Sequence, residues 1–258
     1  MFFIIVVGLA GSGKSTLASA FSEWLSSHNL DPAIINLDPA AESLQYTPDF
    51  DIRKYVDARD IMYRYRLGPN GALITAVDLM VNHVDEIREF IDGRKANYYI
   101  IDTPGQMEIF AFRETGPLIL DEIIGDRKAV TVFLVDSSLA VRPSFFASSL
   151  FLALSAYARI RRPQIGVLSK ADLFPEEQLE RIISWSEDPY QLLTDLKEER
   201  LGLVEDVILA LAESGSQSIE LIPVSSVTWK GFDELYAAIQ RVFAGGEDYY
   251  TEEPSEFF

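Results

Sequence analysis

Gly8-Leu9-Ala10-Gly11-Ser12-Gly13-Lys14-Ser15 is the stretch that decides the fold. It fits Gly-x-x-x-x-Gly-Lys-Ser/Thr, and its place matters as much as its spelling. An apolar, β-branched run, Phe2 to Val7, precedes it, and a helical pattern begins near Lys14. A chance match somewhere in a chain of 258 residues is on the order of one in a hundred from average residue frequencies. A plain glycine turn would need neither the strand before it nor the helix after it. In this setting the glycines let backbone N–H groups point into a concave loop, and the helix adds its positive end, so the loop wraps phosphate oxygens. Gly11, Ser12, Gly13, Lys14, Ser15 and Thr16 are the expected phosphate-binding run. Lys14 bridges the outer phosphates, the Ser15 hydroxyl holds Mg²⁺, and the Thr16 side chain is expected to face elsewhere.

Five more short apolar runs alternate with longer helical patterns: Ala33 to Leu37, Tyr98 to Ile101, Ala129 to Val135, Gln164 to Leu168 and Ile219 to Val224. Such alternation predicts an α/β fold of the P-loop NTPase type, a mainly parallel twisted sheet with helices on both faces and helical insertions. Ligands of these sheets sit beyond the carboxyl ends of the strands. Here those ends carry Gly8, Asp38, Asp102, Asp136, Ser169 and Ser225, which makes one edge of the sheet the expected active site. Two segments break the alternation, 51–93 and the charged amphipathic stretch 175–216, and both read as insertions within one domain spanning about 1–243. The stripe of Phe145, Phe146, Leu150, Phe151, Leu152 and Leu154 reads as a helix facing mostly the core, with part of it available to a second subunit. The remaining 244–258 form a short acidic tail. Its Tyr249, Tyr250, Phe257 and Phe258 suit either a docking peptide or disorder with local packing.

Lys plus Arg number 22 against 40 Asp plus Glu, a formal net charge of −18. That balance repels nucleic-acid backbones and anionic lipid, so neither is an expected partner. No cysteine is present, and His28 and His83 are the only imidazoles, which excludes a disulfide framework and disfavours a zinc or nickel carrier. The apolar N-terminus runs straight into the glycine loop with no basic residue before it, and Phe145 to Ala158 is too short to span a bilayer. A cytoplasmic protein is expected.

Asp102 follows Tyr-Tyr-Ile-Ile at a strand end, where a carboxylate binds Mg²⁺ directly or through its water. A helix cap would explain Asp102 alone, but Thr103-Pro104-Gly105-Gln106 continues it. Asp-x-x-Gly at this place couples a terminal phosphate to a mobile segment, the Gly105 N–H meeting that phosphate only while it is present. Ser169-Lys170-Ala171-Asp172 follows the fifth apolar run and is similar to the Asn-Lys-x-Asp guanine motif. A carboxylate at Asp172 accepts from guanine N1–H and the exocyclic amine together, a pair adenine does not offer, so GTP is favoured over ATP. The Lys170 stem would cover the base plane. Ser169 stands where the motif has Asn, which removes an amide that ties loops together and contacts the base. After the sixth run, Ser225 and Ser226 lie where a backbone N–H recognises the guanine oxygen, Ser226 being the expected contact.

With Gly68-Pro69-Asn70 between the second strand and the Asp-Thr-Pro-Gly segment, the chain resembles the GPN-loop GTPases over nearly its whole length. The shared pattern is Gly8 to Ser15, Ile35-Asn-Leu-Asp38-Pro-Ala40, Gly68-Pro69-Asn70, Asp102-Thr-Pro-Gly-Gln106-x-Glu108 and Ser169-Lys-x-Asp172. Taken alone, Gly-Pro-Asn would read as a β-turn. The resemblance implies a homodimer in which each Gly-Pro-Asn loop reaches toward the partner's phosphates, Asn70 donating to developing negative charge in place of an arginine finger. It also assigns positioning and activation of the attacking water to Asp38, Gln106 and Glu108, and the client it implies is RNA polymerase. Capping would explain Asp38 and Glu108 equally well as isolated residues.

Two other classes fit less well. A metal-insertion GTPase would need Cys or His clusters that are absent here, and a small-molecule P-loop kinase would lack the Asp-Thr-Pro-Gly segment and the Lys-x-Asp pair. A partitioning ATPase would place a further lysine in the P-loop, where this chain has Leu9 and Ala10.

Overall fold

The structure, a computed structural model, describes residues 1–214 and 221–244. The first half runs β1 (Phe2–Gly8), α1 (Lys14–Ser27), β2 (Pro32–Asn36), β3 (Phe50–Asp51), α2 (Ala58–Tyr65), α3 (Pro69–Leu79), α4 (Val84–Arg94) and β4 (Tyr98–Asp102). After two helices, α5 (Met107–Phe110) and α6 (Thr115–Ile124), come β5 (Ala129–Asp136), α7 (Ser137–Ala140), α8 (Pro143–Ile160) and β6 (Gln164–Ser169). The chain continues through α9 (Glu176–Glu187), α10 (Pro189–Glu199) and α11 (Gly202–Glu213) to β7 (Leu221–Pro223) and α12 (Phe232–Ala244).

Among the described residues seven strands form one sheet in the order β3-β2-β4-β1-β5-β6-β7, and their pairings are parallel. β2 and β3 lie to one side of β1, with β4 returning to fill the place between β2 and β1, and β5 to β7 extend the other side, so the connections diverge at β1. That divergence opens a crevice at the carboxyl end of β1, where the Gly8 to Ser15 loop emerges.

Alternation along each strand divides the core between the two faces. Ile4, Val6, Ile100, Val130 and Val132 pack with Leu17, Phe21 and Trp24 of α1 and Phe232, Leu235 and Ile239 of α12. Phe3, Ile5, Ile35, Tyr99, Ile101 and Phe133 face the opposite layer, which gathers α3, α4, α6 and α8 and also Leu179, Trp185, Leu192 and Leu196 of α9 and α10. The second insertion is therefore fastened by apolar burial, at about 1.5–3 kcal/mol for each fully covered large side chain. Among the described residues, no helix is long and apolar enough to cross a membrane.

One sequence expectation is corrected. A seventh strand, Phe50–Asp51, pairs with β2 at the sheet edge, so the first interruption does not begin at Asp51. Two residues, one of them charged, give no periodic signal; Asp51 is held in the strand by Asn36 and Arg53. Within α8 the stripe faces mostly the core, as read from the sequence: Phe146 is buried, Leu150, Phe151 and Leu152 pack against the core, and Phe145 is exposed. Ala147, Ala153 and Ala156 line that core too, because a helix pressed on a sheet needs small residues at the closest approach. Gly68-Pro69-Asn70 opens a helix. Gly68 is the N-cap of α3 and Pro69 takes the first helical position, where its missing N–H has no intrahelical partner to lose. The end of the 175–216 stretch, Ile219 of the expected last strand and the acidic tail lie outside the described residues.

The corner between α5 and α6 sets a stability test. A Cβ on Gly116 would stand 2.0 Å from the Phe110 carbonyl oxygen, a backbone atom that cannot swing aside. Gly116→Ala should cost about 3 kcal/mol and lower the thermal midpoint by roughly 6–12 °C, read by calorimetry; an unchanged midpoint would contradict this packing.

Candidate active site

The loop after β1 turns into α1 through Gly13, whose φ of 95° lies in the left-handed region that a side chain disfavours. Gly13 is the N-cap of α1 and supplies no capping side chain, so the first N–H groups of the helix have no side-chain acceptor there. The buried Lys14 ammonium donates to the carbonyl oxygens of Gly8 and Leu9, both at 3.0 Å, and lies 3.5 Å from that of Gly105. Burial pushes its pKa down, against the pull of Asp102, Asp38 and Glu108. The three carboxylates expected around the phosphates thus act on the one cation expected among them. Thr16 is half-buried in the first turn of α1.

Asp102 ends β4 and is almost wholly buried. Its Oδ2 accepts a hydrogen bond from the Tyr46 hydroxyl at 2.7 Å, and its Oδ1 is buried with no hydrogen bond of standard geometry. Burial raises its pKa; Ser15, Tyr46 and Lys14 oppose that rise. Ser15 and Asp102, the two expected metal ligands, are therefore neighbours. The next residue, Thr103, donates to the Val6 carbonyl at 2.7 Å and locks the start of the Asp-Thr-Pro-Gly segment to β1.

Asp38 lies just past β2. Its Oδ1 accepts from the Ala40 N–H at 2.9 Å and its Oδ2 from the Gly105 N–H at 3.3 Å. The Gly105 N–H, expected at a phosphate, is thus in the grip of a carboxylate. Burial raises the Asp38 pKa against these bonds and the charges of Lys14 and Arg53. Asn36 shapes the turn, its side-chain oxygen accepting from the Asp38 N–H at 3.0 Å and its amide donating to Asp51 at 2.9 Å. Burial works against ionisation of Asp51, but the hydrogen bonds from Arg53 and Asn36 outweigh it and hold the carboxyl below its ordinary range. Gln106 is the half-buried N-cap of α5, and Glu108 is exposed in the first turn of that helix.

Where the base would lie, Lys170 is in the left-handed conformation, φ 59° and ψ 33°. Its ammonium donates to the Gly11 carbonyl at 2.8 Å and pairs with Asp136 at 2.7 Å. Burial disfavours the Asp136 carboxylate, but Lys170 and Ser138 overcome it and lower its pKa. Asp172 is exposed on the short 3₁₀ turn 171–173 that follows. Ser169 corrects an expectation: its hydroxyl donates to the Ser12 carbonyl at 2.8 Å and contacts that of Val135 at 3.2 Å, so the loops are tied without an asparagine. Ser12 Oγ is buried with no hydrogen-bond partner. Ser225 accepts from the N–H groups of Val227 and Thr228, which fixes the turn carrying half-buried Ser226.

Gly68, Pro69 and Asn70 are exposed at the start of α3. A cleft of about 440 Å³ has Ala40 on one wall and Pro69 and Ala72 on another, and a Glu42–Arg59 ion pair at 2.9 Å borders it. Among the described residues, no hydrogen bond joins Asn70 to the phosphate-site residues.

Sequence reading placed Asp136 at the active edge without a role, and it missed Tyr46, Asn36, Asp51 and Ser137, whose hydroxyl donates to the Ser169 carbonyl at 2.6 Å. A buried polar residue inside an apolar strand signals Asn36. Nothing local marks Tyr46, because its partner lies in another strand.

A sequence family described as "Conserved hypothetical ATP binding protein" matches residues 6–245. GPN-loop GTPase 1 of Dictyostelium discoideum is 32% identical over 96% of this chain, which spans 62% of that relative's length. GPN-loop GTPase PAB0955 of Pyrococcus abyssi is 32% identical over 90% of this chain and 93% of its own. The crystal structure of PAB0955, "a GTPase in Apo form", superposes with a TM-score of 0.83 at 29% identity, covering 94% of this chain and 97% of that one.

Proposed function

Because the chain belongs to the GPN-loop GTPase family, we propose that it hydrolyses GTP to GDP and phosphate as a Mg²⁺-dependent homodimer. The observation that carries this reading is the meeting of Lys14, Ser15, Asp102, Asp38 and Gly105 where β1, β2 and β4 end. One cation, one hydroxyl, two carboxylates and a switchable N–H suit a triphosphate and its metal.

The residues fit Mg²⁺. Asp102 Oδ1 is a buried carboxylate oxygen with no hydrogen bond of standard geometry, and Ser15 adjoins the carboxyl. Mg²⁺ keeps most of its ligands from phosphate and water, so two protein oxygens suffice. Ser15 and Asp102 would hold it, and bound there it would offset charge on the outer phosphates. Lys14 binds those phosphates, while Asp38 and Gln106 orient the attacking water. Asp38, its pKa raised by burial, is the stronger proton acceptor of the two, and Glu108 adds negative potential from the rim. The terminal phosphate and Asp38 would compete for the Gly105 N–H, so loss of that phosphate hands the segment back to Asp38.

Asp172 supplies the preference for guanine, and Asn70 the charge stabilisation across the dimer. The nucleotide cycle then drives a conformational switch in the assembly of a larger complex such as RNA polymerase, an extension supported by family resemblance. Phosphate release should require both GTP and Mg²⁺ and be at least about tenfold slower with ATP. Equal turnover of ATP would remove the guanine reading. Capture from native cytosol with GDP or a non-hydrolysable GTP analogue should yield a partner that depends on the nucleotide.

A further inference from the structure

Tyr46 lies in the 39–49 connection between β2 and β3, and no step of the proposed cycle uses it. Its hydroxyl nonetheless reaches Asp102 Oδ2 at 2.7 Å, from 56 positions away in sequence. A carboxylate oxygen only accepts, so in this pair the phenol hydroxyl is the donor. Asp102 itself is almost wholly buried, and its other oxygen, Oδ1, has no hydrogen bond of standard geometry, with Ser15 the neighbouring hydroxyl. Tyr46 engages one carboxylate oxygen, and the other lies on the side of Ser15, the second expected metal ligand.

We propose that Tyr46 is a positioning residue for the metal: by engaging Asp102 Oδ2 it leaves Oδ1 as the single oxygen offered to the cation, and it fastens the 39–49 connection to the metal ligand. This rests on the Mg²⁺·GTP reading above. A neutral donor suits the task, because a phenol orients a carboxylate without cancelling its charge as an ammonium would. Partners that hydrogen-bond a metal's ligands are typically worth 10–100-fold in metal affinity. The connection also carries Ala40, whose N–H is bound by Asp38. Two hydrogen bonds therefore tie 39–49 to site carboxylates, one at each end of the stretch.

The test separates metal affinity from nucleotide affinity. Mg²⁺ is titrated calorimetrically into the protein saturated with GDP, and GDP affinity is measured separately in EDTA. Tyr46→Phe keeps the ring and removes only the hydroxyl. It should weaken Mg²⁺ by about tenfold or more while leaving GDP affinity in EDTA unchanged. Unchanged Mg²⁺ affinity in a folded variant overturns the proposal. So does an equal loss of GDP affinity in EDTA, which would make Tyr46 part of the nucleotide pocket or of the fold. A wild-type measurement covers the case in which the variant does not fold: adding Mg²⁺ to the GDP complex should slow amide exchange across 39–49, and no change there overturns the idea. Failure of the broader reading looks different, since wild-type GDP binding would then show no dependence on Mg²⁺ at all.

Discussion

Exchanging Asp172 for Asn is expected to lower GTP affinity by about 10²–10³-fold and to raise affinity for xanthosine triphosphate by a comparable factor. Guanine presents two donors to this position and an ionised carboxylate accepts both. An amide at 172 still accepts one but turns its NH₂ toward the other, so a hydrogen bond becomes a clash of donors. Xanthine replaces the exocyclic amine with an oxygen, and the amide then matches it. Asp172 is exposed on its 3₁₀ turn, so the substitution should leave stability almost unchanged. Competition between the two nucleotides for labelled GDP is the measurement. A variant that keeps its preference for GTP would take the guanine assignment away from Asp172.

Asn70→Ala should slow GTP turnover by about 10²–10³-fold at saturating nucleotide, with GTP affinity unchanged, because the side chain acts on charge that develops only during hydrolysis. The location of Asn70 demands a second subunit. It is exposed in the first turn of α3 and makes no hydrogen bond to the phosphate-site residues of its own chain. Mixing decides the point. An Asn70→Ala subunit keeps its phosphate loop, and a Lys14→Ala subunit keeps its Asn70, so their heterodimer contains one whole composite site. Random assortment should restore about a quarter of wild-type turnover. No recovery, together with a mass of 29.0 kDa by light scattering in every nucleotide state, would sink the idea of action across a dimer.

Much of this site could be read from the sequence because its parts are local. A phosphate loop needs glycines at fixed spacing, and β1 and α1 on either side of it announce themselves by period, so Gly8 to Ser15 was legible to the residue. Asp102, Asp136 and Ser169 were placed at strand ends because apolar runs stop there. What escaped is what long-range pairing creates. Phe50–Asp51 is a strand only because β2 lies beside it and Asn36 reaches its carboxylate. Tyr46 matters only through Asp102. Gly-Pro-Asn taken alone suits a turn and the start of a helix equally, since proline favours both, and the apolar pattern of Ala72, Leu73, Ala76 and Val77 settles which. Ser169 was expected to lose a tie between loops, but a hydroxyl one bond from the backbone makes that tie where β6 approaches the P-loop.

Those ties have a thermodynamic consequence. Ser169 reaches Ser12 and Lys170 reaches Gly11, so the segment that would read the base is bolted to the segment that would hold the phosphates before any nucleotide arrives. The entropy of fixing the two segments relative to each other is settled during folding rather than at binding. Guanine and triphosphate should then be felt as one ligand on one rigid cradle. Loosening the bolt, as in Ser169→Ala with Lys170→Ala, would make nucleobase and phosphate contribute independently, and a nucleotide would bind as the sum of two weak fragments.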